Sequence, residues 1–109
     1  MEKITESNQT QMRRGVLEYS ILLILSKNDE YASSIIQKLK EVNILVAEGT
    51  TYPLLARLKN LGMLTYRWEE SLQGPPRKYY TITETGKKQL EELDTVWEDL
   101  AAAISKLKA

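Results

Sequence analysis

The 109-residue chain has no cysteine and no histidine. Without cysteine there is no disulfide frame, no thiolate nucleophile and no Cys-ligated zinc. Without histidine the commonest general base and the commonest metal ligand are missing. Neither charge is in surplus: 15 Lys and Arg balance 15 Asp and Glu, so bulk charge does not carry this chain to nucleic acid. Long apolar runs are missing too. The longest, Ile21 to Leu25, falls far short of the roughly 20 residues that cross a bilayer. The start, Met1 to Gln11, is polar and lacks the apolar core of a signal peptide. These absences predict one cytoplasmic domain with a single core, no cofactor and no membrane contact.

What is present begins with an uneven spread of charge. Between Tyr31 and Tyr80 seven cations face four anions, whereas from Glu84 onward six acids face four lysines. The middle of the chain is suited to meet phosphate and the tail is not.

Gly49 to Gly62 reads as a short helix. Thr50 and Thr51 are residues that cap, and Pro53 belongs in a first turn, so a start near Thr50 or Thr51 is expected. The extended bias on Tyr52, before proline, favours a later start. Gly62 is suited to the stop. Leu54, Leu55, Leu58 and Leu61 share one face. Tyr52, Pro53, Ala56, Lys59 and Asn60 share the other, with Thr50 and Arg57 on its flank. That outer surface suits a major groove, and it also suits an ordinary surface helix.

Before it, Met12 to Lys27 predicts a first helix that is apolar nearly all round, including Val16, Leu17 and Ile21. Such a helix needs cover on two sides, and a partner subunit is expected on one. Asn28 to Glu30 is a predicted turn, and Tyr31 to Val42 a second helix. Two helices, a turn and a third helix make a helix-turn-helix candidate. After it, Met63 to Glu70 and Arg77 to Thr83 alternate as strands around a Ser71 to Pro76 loop. This predicts a hairpin with Arg77 and Lys78 at its tip. A helix-turn-helix followed by a basic hairpin is a winged helix; the alternative for the hairpin alone is a solvated, charge-protected edge.

Thr83 is expected to cap a last helix. Leu90, Leu93, Trp97, Leu100, Ile104 and Leu107 follow at steps of three and four, a heptad seam. About 24 residues at roughly 1.5 Å each make a rod that overhangs so small a domain. Its seam predicts a homodimer, through a second copy of this helix or of the first, with recognition helices roughly 34 Å apart on an inverted repeat. The predicted architecture is mainly α with a small β-hairpin: a flexible arm over 1–11, a winged helix-turn-helix domain over 12–83, and a dimerisation helix over 84–109.

Two blocks carry a resemblance. Gly49-Thr50-Thr51-Tyr52-Pro53-Leu54-Leu55, with Arg57-Leu58 and Gly62-Met63-Leu64, is similar to the recognition-helix block of PadR-type transcriptional regulators. Gly74-Pro75-Pro76-Arg77-Lys78-Tyr79-Tyr80, with Ile82-Thr83 and Gly86, is similar to that family's wing block. The resemblance runs from about Val16 to the end. It implies a bacterial winged-helix dimer of the short subgroup with one C-terminal helix, a repressor of double-stranded operator DNA. It also implies a small apolar or phenolic effector at the dimer junction, where Trp97, with Val16 and Leu100, is the candidate pocket; plain dimer packing is the other role for Trp97. After Tyr31 the family often has glycine and an aromatic, where this chain has Ala32-Ser33.

The candidate DNA contacts are therefore Tyr31, Thr50, Thr51, Tyr52, Arg57, Lys59, Arg77, Lys78 and Tyr79. The dimer candidates are Leu17, Ile21, Leu90, Leu93, Trp97, Leu100, Ile104 and Leu107. A winged helix can also serve as a protein-interaction module, a reading the zero net charge favours. An enzyme is not expected, because the acids sit on the solvated face of the last helix and no nucleophile–base pair exists.

Overall fold

The computed structural model describes residues 8–109. Five helices and three strands follow one another: α1 Asn8–Arg13, α2 Leu17–Lys27, β1 Glu30–Tyr31, α3 Ala32–Glu41, α4 Glu48–Asn60, β2 Leu64–Ser71, β3 Gly74–Ile82 and α5 Glu84–Lys108. A tight 3-10 turn, Arg14–Val16, separates α1 from α2, so the single first helix expected from Met12 is broken at Gly15. Most of the expected arm lies outside the described residues; its last part, from Asn8, is helical.

Two helix ends explain how α3 and α4 are spaced. Asn43 adopts φ 65°, and Ile44 N–H donates back to the Leu39 carbonyl at 2.8 Å while Asn43 N–H reaches Lys40. Gly62 repeats the arrangement at the end of α4, with φ 79° and Met63 N–H donating to the Leu58 carbonyl. Both are left-handed stops that satisfy the last carbonyls, and asparagine is the non-glycine residue that best tolerates the geometry.

Helix α4 starts at Glu48, earlier than Thr50 or Thr51, with Ala47 as an N-cap that gives no side-chain bond. Pro53 therefore sits in the second turn. It has no N–H to offer the Gly49 carbonyl, which lies on the exposed first turn. The inner face is Thr51, Leu55 and Leu58, with Leu54 half-buried. Leu61, expected on that face, is exposed because it is the cap residue just past the last turn.

The sheet is antiparallel in the order β1-β3-β2. The hairpin is tighter than expected: only Leu72 and Gln73 join the strands, and Gly74-Pro75-Pro76 belong to β3. The register steps two residues on β2, Glu69 to Ser71, against three on β3, Arg77 to Gly74. This bulge falls at the prolines, where a missing N–H costs no ladder bond. The two-residue β1 pairs Tyr31 with Tyr79 and Glu30 with Tyr80.

The core gathers Ile21, Leu22 and Leu25 of α2, Ile35 and Leu39 of α3, Leu55 and Leu58 of α4, and Leu64, Tyr80, Ile82 and Leu90. Each large apolar side chain removed from water contributes about 1.5–3 kcal/mol. Ile21 is 1% exposed, so the cover expected from a partner subunit comes from the chain's own α3, β3 and α5. Thr83 joins the wing to α5: its hydroxyl donates to the Gly62 carbonyl at 2.6 Å and accepts from Gly86 N–H at 3.0 Å.

Candidate nucleic-acid interface

The outer surface of α4 carries Gly49, Thr50, Tyr52, Pro53, Ala56, Lys59 and Asn60, all exposed. Thr51 does not join it. It is 1% exposed, and its hydroxyl donates to the Ala47 carbonyl at 3.2 Å. The 3.6-residue period turns Thr51 onto the same side as Leu55 and Leu58. Arg57 is exposed but ion-paired with Glu18 of α2. Lys59 lies over the Tyr66 ring at 5.8 Å, on the side where α4 meets the wing.

In the wing, Arg77 and Lys78 stand behind the tip and on opposite faces of β3. That follows from the two-residue period of a strand. Lys78 sits over Tyr66 at 4.6 Å and Trp68 at 5.6 Å, the face toward α4. Arg77 sits on the other face, its guanidinium 4.0 Å from the Tyr31 ring centre. Tyr31 packs on Tyr79 at 4.7 Å, and Tyr79 on the Arg67 guanidinium at 4.6 Å. The result is a stack of cation, ring, ring and cation across three strands. Arg67 is further held by Glu69 at 2.8 Å and Asp29 at 3.4 Å.

Where the start of α3, α4 and the edge of the wing meet lies a cleft of about 400 Å³, reached from both faces of β3 and lined by Tyr31, Tyr52, Trp68, Arg77, Lys78 and Tyr80 among others. Burial pushes the Tyr80 phenol up, and the nearby Tyr66 and Tyr52 add to it, so it stays a neutral hydroxyl. Aromatic faces interleaved with cations suit a phosphodiester strand, with cations meeting phosphate and phenols donating to it. Four of the expected DNA residues, Tyr31, Tyr52, Arg77 and Lys78, meet in this cleft. Thr50 lies apart, beside Arg13 and Arg14, on a depression at the start of α4. Sequence reasoning missed those two arginines and Trp68. A basic pair just before a helix break, and a large aromatic on the outer half of an exposed strand, were the available signals.

A second, apolar depression of 270 Å³ lies between α2 and α5, lined by Val16, Tyr19, Ser20, Leu23, Ile44 and Trp97. It brings together two of the three expected pocket residues. Leu100, one turn further along α5, is exposed and does not line it. Tyr19 was missed. Its ring lies 6.5 Å from Trp97, and its hydroxyl donates to Asp94 at 2.5 Å.

The expected dimer seam divides. Leu17, Ile21 and Leu90 are buried in the single chain and Leu93 is half-buried, so these four pack its own domain. Trp97, Leu100, Ile104 and Leu107 stay exposed, from 47% at Trp97 to 81% at Leu107. Among the described residues no helix is long and apolar enough to cross a membrane.

Residues 21–92 match the model of the transcriptional regulator PadR-like family. A PadR-like transcription factor from Bacteroides fragilis is 54% identical, covering 91% of this chain and 96% of its own, with a TM-score of 0.78. A PadR-like transcriptional regulator from Bacillus cereus is 38% identical over 89% of this chain and 95% of its own, at 0.81. A Lysinibacillus sphaericus protein is 30% identical over 94 residues, which is 84% of this chain and 86% of that one. With its winged fold and its family match in accord, the chain belongs to the PadR-like family of transcriptional regulators, DNA-binding proteins rather than enzymes.

Proposed function

We propose that two copies join along the outer half of α5 and present two α4–wing units to an inverted-repeat operator, repressing transcription until an apolar effector binds beside Trp97. The observation that carries the DNA contact is the cleft where Tyr31, Tyr52, Arg77 and Lys78 converge. Thr50 and Tyr52 approach bases from the helix start, and Arg77 and Lys78 grip the backbone from the two faces of the wing. Tyr79 supports Arg77 through Tyr31 rather than by touching DNA.

The exposed apolar residues of α5 support the dimer. Val96, Trp97, Leu100, Ile104 and Leu107 continue outward from the seam that Leu90 and Leu93 begin in the core. In water such a stripe favours association. The Val16–Trp97 depression lies at the base of that stripe, so an apolar ligand there meets both the domain and the junction. Relief of repression then requires the ligand to bind one spacing of the two α4 helices better than the other.

A fluorescence-anisotropy titration with an inverted repeat from the protein's own promoter tests this reading. The expected result is salt-dependent binding that exceeds binding to a scrambled duplex by roughly a thousandfold or more. Equal affinity for both duplexes overturns a sequence-specific regulator.

A further inference from the structure

Arg77 and Arg67 lie on the same face of the wing, yet their surroundings differ. Arg77 makes no ion pair among the described residues; its guanidinium rests on the Tyr31 ring. Arg67 holds two carboxylates, Glu69 and Asp29. Glu69 is the critical one, because the β2–β3 register sets it directly across from Arg77. Side chains so placed have Cβ atoms about 5 Å apart, close enough for an arginine and a glutamate to pair. Glu69 therefore has two cations in reach: Arg67, two residues before it on its own strand, and Arg77 across the ladder. It bonds Arg67 Nε at 2.8 Å.

We infer that Arg67 is an electrostatic decoy: it occupies Glu69 so that the Arg77 charge is left free for a DNA phosphate. Arg67 is a positioning residue here and touches no DNA. This rests on the proposed wing contact at Arg77. Three features favour Arg67 over Arg77 as the glutamate's partner. Asp29, which continues β1 away from Arg77, adds a second carboxylate to Arg67. The Tyr79 face supports the Arg67 guanidinium from beneath at 4.6 Å. The Tyr31 face holds Arg77 at the far end of the same stack. A ring face offers a cation attraction without neutralising it, so Arg77 arrives at DNA oriented and still charged. Sequence alone treats Arg67 as one more surface charge, because its effect exists only through the register.

A double-mutant cycle at Arg67 and Glu69, read by anisotropy on the promoter inverted repeat, tests the decoy. With Glu69 present, Arg67→Gln frees the carboxylate to take Arg77, and binding is expected to weaken about threefold to tenfold, the scale of one surface pair in each of two wings. In the Glu69→Gln background the same Arg67→Gln change is expected to cost less than about twofold, since the carboxylate across the ladder from Arg77 is gone and Asp29 lies away from it. Arg67→Met, which keeps a stem on Tyr79, runs the same cycle if Arg67→Gln loses its cooperative melt. Equal losses in both backgrounds identify Arg67 as a direct phosphate contact and overturn the decoy, as does no loss in either. Arg77→Gln separates the two claims. If it leaves binding unchanged, the wing contact and the decoy both fall; if it weakens binding while the cycle shows no coupling, only the decoy falls.

Discussion

The hydroxyl of Tyr19 donates a 2.5 Å hydrogen bond to Asp94 Oδ1, tying α2 to α5 across 75 residues of sequence. The bond holds the phenol proton: the carboxylate acceptor first, then burial and the charges of Asp94 and Glu98, push Tyr19 up to about 12. In the unfolded chain it titrates near about 10. A group raised on folding stabilises the fold fully below its unfolded value and loses that contribution as pH climbs to its folded one. Chemical denaturation is therefore expected to show a Tyr19 contribution that is constant up to about pH 10 and fades between about 10 and 12. Tyr19→Phe is expected to remove that loss and to cost about 1 kcal/mol at neutral pH, the usual worth of one side-chain hydrogen bond. An unchanged alkaline profile in the variant contradicts the assignment.

Gly86 is required by contact rather than by turn geometry. A Cβ built there falls 2.2 Å from the Met63 carbonyl oxygen and 2.7 Å from Ile82 Cγ1. The first of these is backbone, already accepting from Thr83 N–H, so it has little room to yield. Gly86→Ala is expected to cost about 2–3 kcal/mol in the urea midpoint, by pushing α5 off the wing base. A loss under half a kcal/mol contradicts so tight a junction.

Thr51 and Tyr52 are neighbours with opposite environments. Thr51→Val keeps the shape and removes the bond to Ala47, for about 1 kcal/mol of stability. Its operator affinity is expected to stay within about twofold of wild type, because the hydroxyl never reaches the outer face. Tyr52→Ala removes a ring from the cleft and is expected to weaken operator binding about tenfold, with little change in melting. Anisotropy and thermal melts on both variants decide; the reverse order of affinities contradicts the placement.

Arg57 gives a further contrast. Its pair with Glu18 joins α4 to α2, so Glu18→Gln releases it. The pair is largely exposed and is worth at most about 1 kcal/mol. Operator affinity is expected to rise a few-fold in Glu18→Gln at low salt, as Arg57 becomes available to phosphate and a nearby anion is lost. Weaker binding in this variant indicates that the pair positions α4.

Much of this was legible in local chemistry. Gly62 as a stop, Thr83 as a cap, and the alternation of Leu64, Tyr66 and Tyr80 are all encoded within a few residues of where they act. The misjudged features depend on distant neighbours. β1 is two residues long and exists only because Tyr79 and Tyr80 lie beside it. Pro75 and Pro76 read as loop, yet they continue a strand because the bulge falls on their own strand, at the prolines, and removes the need for their N–H groups. Ile21 read as a dimer residue because periodicity shows that a face is apolar but not what covers it. In the α5 seam, Leu90 belongs to the core and Ile104 does not, although both occupy the same heptad stripe. The DNA candidates show the same limit, since composition cannot tell Arg57, ion-paired with Glu18, from Arg77, which makes no ion pair among the described residues.

Sedimentation equilibrium at micromolar concentration, with wild type and Ile104→Glu side by side, bears most directly on two α5 helices meeting face to face. Wild type is expected at twice the chain mass, and Ile104→Glu at the single mass with its operator binding lost and its fold intact. Single chains in the wild type, with and without operator DNA, contradict the paired arrangement.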